Sequence, residues 1–490
     1  MAEARYQPVT IRYDRRLSGL RLSVLACLSS GLLLTGVMSA WGFPAVVLPE
    51  LTINITTLPQ LTINTTTLPQ LTAITTTLHL SPSQASWFAS IPLFMCMAGS
   101  MLGGLVCERV GPRRLQLYTS PFLCLTFLAT YMASWQVIQE AGAALTLLMV
   151  SRVGQGAVVA LMVPTINSYF CEVSDPRHRG TVTSLAGFWG SLGLLLCYLL
   201  GCFVRWYTAA WIIPLVTIVP SFLGLMVALE SPSWLLRKGR KAEAVTNLHR
   251  LRSSSEVAKK ELADIEKSLT KNTNSFFQSL KLLKKRDKFI PILISIFMFV
   301  TREFSGIAAI AIYIVNFFKI AGVGLNPFWS SVVVGSARMA GNFLGAVLLR
   351  HLSRRYLLVG GGCLSSAALA ALGTFYFLQD KGHDLSQLNW LPLMSFVFYA
   401  LGITVGITPA SYLVVLEIIP GPVRALGLGI ATTTYALSAF LVVKTVNDAQ
   451  TVLGSCGLFW SYSAGCAIIV LFVLIFVPKP RKRSPEDIEN

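Results

Sequence analysis

Long apolar runs, separated by short polar segments, occupy most of the chain. A helix needs about twenty apolar residues to cross a bilayer, and twelve runs are long enough. The predicted spans are 22–49, 84–106, 115–135, 142–170, 183–204, 208–229, 289–318, 325–349, 356–378, 388–416, 425–446 and 456–477. The pattern therefore predicts an all-α membrane protein with twelve transmembrane helices.

The spans fall into two sets of six, separated by a polar, Lys-rich stretch. We predict an N-terminal six-helix half at 1–230, a cytoplasmic central loop at 231–288, a C-terminal half at 289–477 and a cytoplasmic tail at 478–490. Membrane carriers commonly consist of two such halves around a central cleft, with the substrate near the bilayer midplane. This organisation predicts a carrier with a central site.

Composition supports the membrane assignment. Of 490 residues, 54% are hydrophobic and only 13% are charged, whereas soluble domains average about 25% charged residues. The net charge of +18 does not indicate nucleic-acid binding, because the cations lie in short loops on one side, as in the cytoplasmic loops of membrane proteins. These cations are Arg5, Arg12, Arg15, Arg16, Arg21, Arg109, Arg113, Arg114, Arg177, Arg179, Arg350, Arg354, Arg355, Lys479, Arg481, Lys482 and Arg483. We expect a multi-pass plasma-membrane protein with both termini in the cytoplasm.

Several function classes find no support. The ten cysteines are scattered, without the spacing of a zinc site or a disulfide framework. There is no phosphate-binding loop for ATP-driven transport and no catalytic constellation for an enzyme. We therefore expect no metal and no cofactor. The first twenty residues lack the features of a cleaved secretory signal, so the first span is expected to direct insertion.

One outer loop, within 50–83, contains a tandem ten-residue repeat. Its copies are LTINITTLPQ, LTINTTTLPQ and LTAITTTLHL, from Leu51 to Leu80. Three short copies with two prolines cannot bury much core, so we expect a flexible extracellular loop. The two Asn-x-Thr sequons of the chain lie here, at Asn54 and Asn64. Their place opposite the basic loops predicts glycosylation of both.

Motifs at the predicted cytoplasmic ends of the spans identify a family. The segment ESPSWLLRKGRKAEA, from Glu230 to Ala244, resembles P-E-S-P-x-[WY]-L-L-x-[KR]-G-[KR], and GLVCERVGPRR, from Gly104 to Arg114, resembles G-x-L-x-[DE]-R-x-G-R-[RK]. Both are motifs of the sugar porter family of the major facilitator superfamily. Within this family, the sequence of these segments most resembles that of insect facilitated trehalose transporters. Capping of helix ends and positive-inside anchoring are the plainer explanations of these charges.

The resemblance implies a set of charged residues, here called the cytoplasmic latch, that stabilises one state by holding the inner ends of the helices. By position in the motifs, the expected members are Glu108, Arg109, Arg113, Arg114, Arg152, Glu172, Arg179, Glu230, Arg237, Glu417 and Arg424. The motif of the second half, LLRHLSRR from Leu348 to Arg355, is degraded, with Arg350 where the family has Asp.

The expected substrate site departs from the family. The seventh-span motif Q-Q-x-S-G-x-N is replaced by Arg302-Glu303-Phe304-Ser305-Gly306-Ile307-Ala308, so its amides are absent. The resemblance nevertheless places a set of candidate substrate-binding residues in the cleft. They are Arg302, Glu303, Ser305, Tyr313, Arg338, Tyr412 and Gly187.

The substitutions replace amides by charges. Arg302 lies 14 residues past Lys288, about 21 Å along a helix and hence near the midplane. Intramembrane charges mark a pathway or a structural pair, and both remain open for Glu303. We predict facilitated transport of a small polar solute by alternating access, with a trehalose- or hexose-like sugar implied by the resemblance. A proton-coupled carrier of another solute and a non-transporting sensor are the alternatives, and the oligomeric state is undetermined.

Overall fold

A computed structural model describes residues 19–52, 79–136, 141–175, 179–252, 255–271, 282, 285–322, 324–420 and 423–476. Its regular structure in these ranges is helical. Asn54 and Asn64 lie outside the described residues. At the two ends of the repeat loop, the N–H of Leu80 donates to the carbonyl of Leu51 at 3.1 Å, so these two residues lie side by side.

The N-terminal half contains six spans, two of which are made of more than one helix. Its helices are α1 (Gly19–Gly42), α2 (Pro44–Leu51), α3 (Pro82–Val110), α4 (Pro112–Gln136), α5 (Ala141–Val173), α6 (Arg179–Phe203), α7 (Trp206–Ile213) and α8 (Val219–Val227). The first span is α1 with α2. The sixth is α7 with α8, joined by a π-helical segment at Pro214–Ile218.

Three helices follow between the two halves: α9 (Pro232–Arg237), α10 (Lys241–Leu251) and α11 (Ser255–Lys271). The hydroxyl of Ser231 caps α9 by accepting from the N–H of Trp234 at 3.1 Å. This helix therefore begins at Pro232, directly after its cap. Arg252 docks this helical segment onto α5, because its buried guanidinium donates to the carbonyl of Val173 at 3.0 Å and pairs with Glu261.

The C-terminal half again contains six spans. Its helices are α12 (Arg286–Phe304), α13 (Ile307–Ala321), α14 (Pro327–His351), α15 (Arg354–Asp380), α16 (Leu391–Gly402), α17 (Thr408–Ile418), α18 (Arg424–Lys444) and α19 (Val446–Phe476). The seventh span is α12 with α13, and the tenth is α16 with α17, joined by a π-helical segment at Ile403–Ile407.

Each of the twelve predicted spans coincides with a helix or a broken helix. Within the described residues, ten helices are long and apolar enough to cross a bilayer, and the bent pair Pro82–Gly99 and Leu102–Val110 makes an eleventh. The remaining one is α4, which begins with two arginines and has polar residues in its first turns. It packs along α5 and completes the twelve-span arrangement.

The two halves meet along paired helices. The fifth span packs against the eighth, and the second packs against the eleventh. At the predicted outer end, α2 of the first span packs against α13 of the seventh. The outer part of the seventh span, α13, thus faces the N-terminal half, whereas α12, which carries Arg302 and Glu303, packs mainly on helices of the C-terminal half.

Candidate functional site

The seventh span is broken at membrane depth by a glycine. Gly306 has φ +82°, in the left-handed region, and the Tyr462 ring lies 2.6 Å from where a Cβ would stand. A residue with a side chain would therefore be strained and would clash. The break ends α12 at Phe304 and leaves Arg302 and Glu303 on its last turn. The hydroxyl of Ser305 donates to the carbonyl of Arg302 at 2.5 Å, so it is used by the break itself.

Arg302 and Glu303 form a buried but loose ion pair. Their side chains are 13% and 1% exposed, and Nη1 of Arg302 lies 3.9 Å from Oε1 of Glu303. Nε of Arg302 and Oε1 of Glu303 are buried with no hydrogen-bond partner among the described residues. Buried polar atoms are nearly always hydrogen-bonded, so these two atoms are available to form hydrogen bonds with a ligand.

Two further residues complete what we call the central charged site, namely Arg302, Glu303, Arg338 and Tyr435. The guanidinium of Arg302 lies over the Tyr435 ring at 5.3 Å from its centre. Arg338, on α14, interacts electrostatically with both Glu303 and Tyr435. Its Nε is also buried without a partner in the described part of the chain. Three spans therefore contribute to one polar centre.

Tyr435 was not among the residues predicted from sequence. It lies on α18 in a run of threonines, and no motif singles it out. Phe299 connects it to a predicted residue, because the Phe299 ring lies 6.0 Å from that of Tyr435 and stacks on Tyr412 at 6.4 Å. Tyr412 therefore belongs to an aromatic wall beside the central charged site.

The other two candidates have different surroundings. Tyr313 is 3% exposed and packs against Phe317, with Tyr462 nearby, inside the C-terminal half. Gly187 lies at the contact of the two halves, where Oδ1 of Asn342 comes within 2.7 Å of a Cβ built at that position. The amide of Asn342 also donates to the hydroxyl of Ser191 at 2.6 Å. Gly187 thus makes room for an amide that sequence reasoning did not single out.

The expectation for Arg152 is corrected by the structure. Arg152 is fully buried, and it lies 20 residues before Glu172 on α5, about 30 Å along the helix axis. It donates to the carbonyls of Ala40 at 2.7 Å and Phe88 at 3.0 Å. It also donates to Oε1 of Gln155 at 2.6 Å. Arg152 therefore lies far from the cytoplasmic latch. Its hydrogen-bond partners are two carbonyls and an amide, and not a carboxylate.

The first-half latch centres on Glu230. Its carboxylate accepts from the N–H groups of Arg113 at 3.0 Å, Ser231 at 3.2 Å and Arg114 at 3.3 Å. Burial raises the pKa of Glu230, and these donors oppose the rise. The side chain of Arg113 donates to the carbonyl of Leu225 at 2.9 Å. Glu230 thus ties the turn before α4 to the end of the sixth span.

A second contact joins α5 to α9. Glu172 pairs with Arg237 at 3.5 Å, and it accepts hydrogen bonds from Ser168 and Ser231. Glu108 is exposed, and its carbonyl accepts from Nε1 of Trp234 at 2.7 Å. Arg109 is also exposed, and the side chain of Arg179 lies outside the description. The sequence motif thus identified the region, while the contact of Glu108 is made by its backbone.

The second-half latch is also corrected. Glu417 forms an ion pair with Arg354, which was not among the expected members, and not with the expected member Arg424. Arg424 is exposed, and its Nε donates to the carbonyl of Ile419 at 3.4 Å. The reason is geometric: Arg354 is the first residue of α15, next to the end of α17, whereas Arg424 opens α18.

Direct contacts join the halves at the predicted outer ends of the helices, a set we call the outer gate. Nζ of Lys444 donates to the hydroxyl of Ser86 at 2.6 Å and lies 4.5 Å from the centre of the Trp87 ring. Nζ of Lys319 donates to the carbonyl of Pro49 at 2.8 Å. The described ion pairs of the cytoplasmic latch, Glu172–Arg237 and Glu417–Arg354, in contrast, do not join one half to the other. The contacts of Lys444 and Lys319 therefore hold the two halves together at the predicted outer side.

Comparisons with known proteins agree with this architecture. The family model "Sugar (and other) transporter" matches residues 35–490. A facilitated trehalose transporter of Polypedilum vanderplanki is 31% identical over 84% of this chain and 80% of its own length. One of Drosophila willistoni is 30% identical over 95% of this chain, which spans only 50% of that relative's length. The inward-open xylose transporter XylE of E. coli matches with a TM-score of 0.72 at 19% identity, covering 96% of this chain and 99% of that one.

Proposed function

Because this chain belongs to the Sugar (and other) transporter family, we propose that it carries a small hydroxylated solute across the membrane by facilitated diffusion. It is a multi-pass membrane protein of the major facilitator fold and not an enzyme. The plasma membrane is the proposed location, with both termini in the cytoplasm, as the basic loops indicate. The names of the insect relatives favour a sugar such as trehalose.

The observation that carries the proposal is the central charged site on a broken span. Arg302 and Glu303 are held at the break of the seventh span, buried and with unpaired polar atoms. Discontinuous helices at the midplane are typical of substrate sites in carriers. Arg and Glu side chains can bind hydroxyl groups through several donors and acceptors. This site therefore replaces the amides that the family motif would supply.

Facilitated diffusion is favoured over proton coupling by the surroundings of Arg152. Its described hydrogen bonds go to two carbonyls and to Gln155. The first span, which supplies one of these carbonyls, has no carboxylate before Glu50. A coupled proton would need a titratable group in the pathway, and Glu303 is the residue that could serve. Proton-coupled transport through Glu303 is thus the second candidate.

The test is counterflow in proteoliposomes containing the purified full-length protein. We expect radiolabelled trehalose or a hexose to enter liposomes preloaded with the same sugar, with no requirement for a pH gradient. Accumulation driven only by a pH gradient would favour the proton-coupled alternative. Ligand-dependent stabilisation without flux would identify a sensor, and the absence of both with every sugar tested would contradict the proposal.

A further inference from the structure

The central charged site has an excess of positive charge among the residues that the structure describes there. Two guanidiniums, Arg302 and Arg338, accompany a single carboxylate, Glu303. The excess is one charge if Glu303 is ionised and two if it is protonated. Uncompensated charge at membrane depth is costly, so a site of this kind is complete only when an anion is bound.

The buried polar atoms that lack hydrogen-bond partners also favour an anionic ligand. Nε of Arg302 and Nε of Arg338 are buried donors without partners in the described chain, while Oε1 of Glu303 is a buried acceptor without one. Guanidinium groups bind carboxylates through charge-assisted hydrogen bonds, which are stronger than those to neutral hydroxyls. The remaining acceptor on Glu303 suits a hydroxyl donor. The arrangement therefore matches a molecule that carries both an anionic group and hydroxyl groups.

We infer that the preferred substrate is a small hydroxylated monocarboxylate, that is, a sugar acid, in place of a neutral sugar. This inference rests on the proposed transport function and narrows its substrate class. The carboxylate binds Arg338 and balances the excess charge, while the hydroxyl groups contact Glu303 and Arg302. The carbon skeleton lies beside the aromatic wall of Tyr435, Phe299 and Tyr412, since ligand pockets are lined mainly by apolar and aromatic side chains.

The test compares D-glucuronate with D-glucose in proteoliposomes containing the full-length protein. Glucuronate should enter faster than glucose and inhibit glucose entry. Because it carries one negative charge, its uptake should generate a current on a supported membrane. At −100 mV inside, a freely equilibrating monoanion should reach an inner concentration about 50-fold below the outer one.

Polar variants that differ in charge test the charge argument. Arg338→Gln removes the excess positive charge, so the glucuronate-to-glucose rate ratio should fall about tenfold or more, in line with the loss of a charge-assisted hydrogen bond. Arg338→Lys keeps the charge and should retain most of the ratio. The double variant Arg302→Gln with Glu303→Gln also keeps one net positive charge and should still prefer glucuronate, provided that its thermal unfolding is cooperative.

The outcomes separate the inference from the function on which it rests. Glucose flux without glucuronate flux, or a rate ratio unchanged by Arg338→Gln, would overturn the inference and leave the transport proposal intact. Inhibition of glucose entry by chloride, to the same extent as by glucuronate, would show a site for any small anion and would also overturn it. If trehalose crosses but glucuronate does not, only the inference fails, and if glucuronate, glucose and trehalose all fail to cross, both proposals fail.

Discussion

The ammonium of Lys444 lies 4.5 Å from the centre of the Trp87 ring and joins the eleventh span to the second at the outer face. The same ammonium donates to Ser86 at 2.6 Å. Because α18 and α3 belong to different halves, both contacts must break when the halves separate at this side. Lys444 is thus well placed to set the balance between the two states.

Replacement of Lys444 by Met should favour the outward-open state. A cation–π contact and a hydrogen bond each contribute about 1 kcal/mol, so the loss of both should shift the population about tenfold or more. The shift is measured by external labelling of a cysteine introduced at Ser438, in a background free of native cysteines. Lys381→Met is the matched control, since Lys381 lies over Phe377 at 5.6 Å within one half. Equal labelling of both variants would contradict the role of Lys444.

Replacement of Glu303 by Gln should lower stability and weaken transport. The change leaves Arg302 and Arg338 without a nearby carboxylate at membrane depth. Because the pair is separated by 3.9 Å, we expect a loss of about 1–3 kcal/mol, below that of a tightly bonded buried pair. Glu417→Gln breaks a partly exposed pair and should cost less than about 1 kcal/mol.

Thermal unfolding, exchange and pH-driven uptake are measured on the same Glu303→Gln sample. Weaker exchange with lower stability fits a residue that contacts substrate and balances charge. Loss of pH-driven accumulation with normal exchange would instead assign a coupled proton to Glu303. Parental values in all three measurements would remove Glu303 from the site.

Glu230 should make the stability of the protein depend on pH. Burial raises its pKa in the folded state, so the folded protein binds the proton more tightly than the unfolded chain does. The stabilisation is therefore present at acid pH and is lost as pH rises through the raised pKa. The melting temperature of the parent relative to Glu230→Gln should fall over this window and level off above it. The exposed Glu243→Gln is the control, and a parallel curve for Glu230→Gln would contradict the assignment.

Glycosylation of the repeat loop remains a prediction from sequence. Asn54→Gln and Asn64→Gln should each reduce the apparent mass by one glycan, and the double variant should not respond to a glycosidase that removes N-linked glycans. Transport per molecule at the surface should stay the same, because both sequons lie between the predicted first and second spans, away from the residues of the central charged site. Loss of transport in correctly delivered protein would show that the loop takes part.

The sequence by itself determined the spans, their grouping into two halves and the family. A single apolar run of bilayer length must form a helix, because in lipid its backbone N–H and C=O groups can form hydrogen bonds only within the segment. Local motifs also identified a region of contact: the segments around Arg113 and Glu230, singled out from sequence, join α3, α4 and α9 in the structure.

Only the tertiary structure decided which charges meet. Arg152 stands in a family motif, yet packing of α5 against the first two spans places it among carbonyls far from Glu172. Glu417 pairs with Arg354 because α15 begins beside the end of α17. Tyr435 joins Arg302 through the packing of the eleventh span on the seventh. These partners are more than 60 residues apart in sequence, and no local pattern fixes the rotation and depth at which two helices present their side chains to each other.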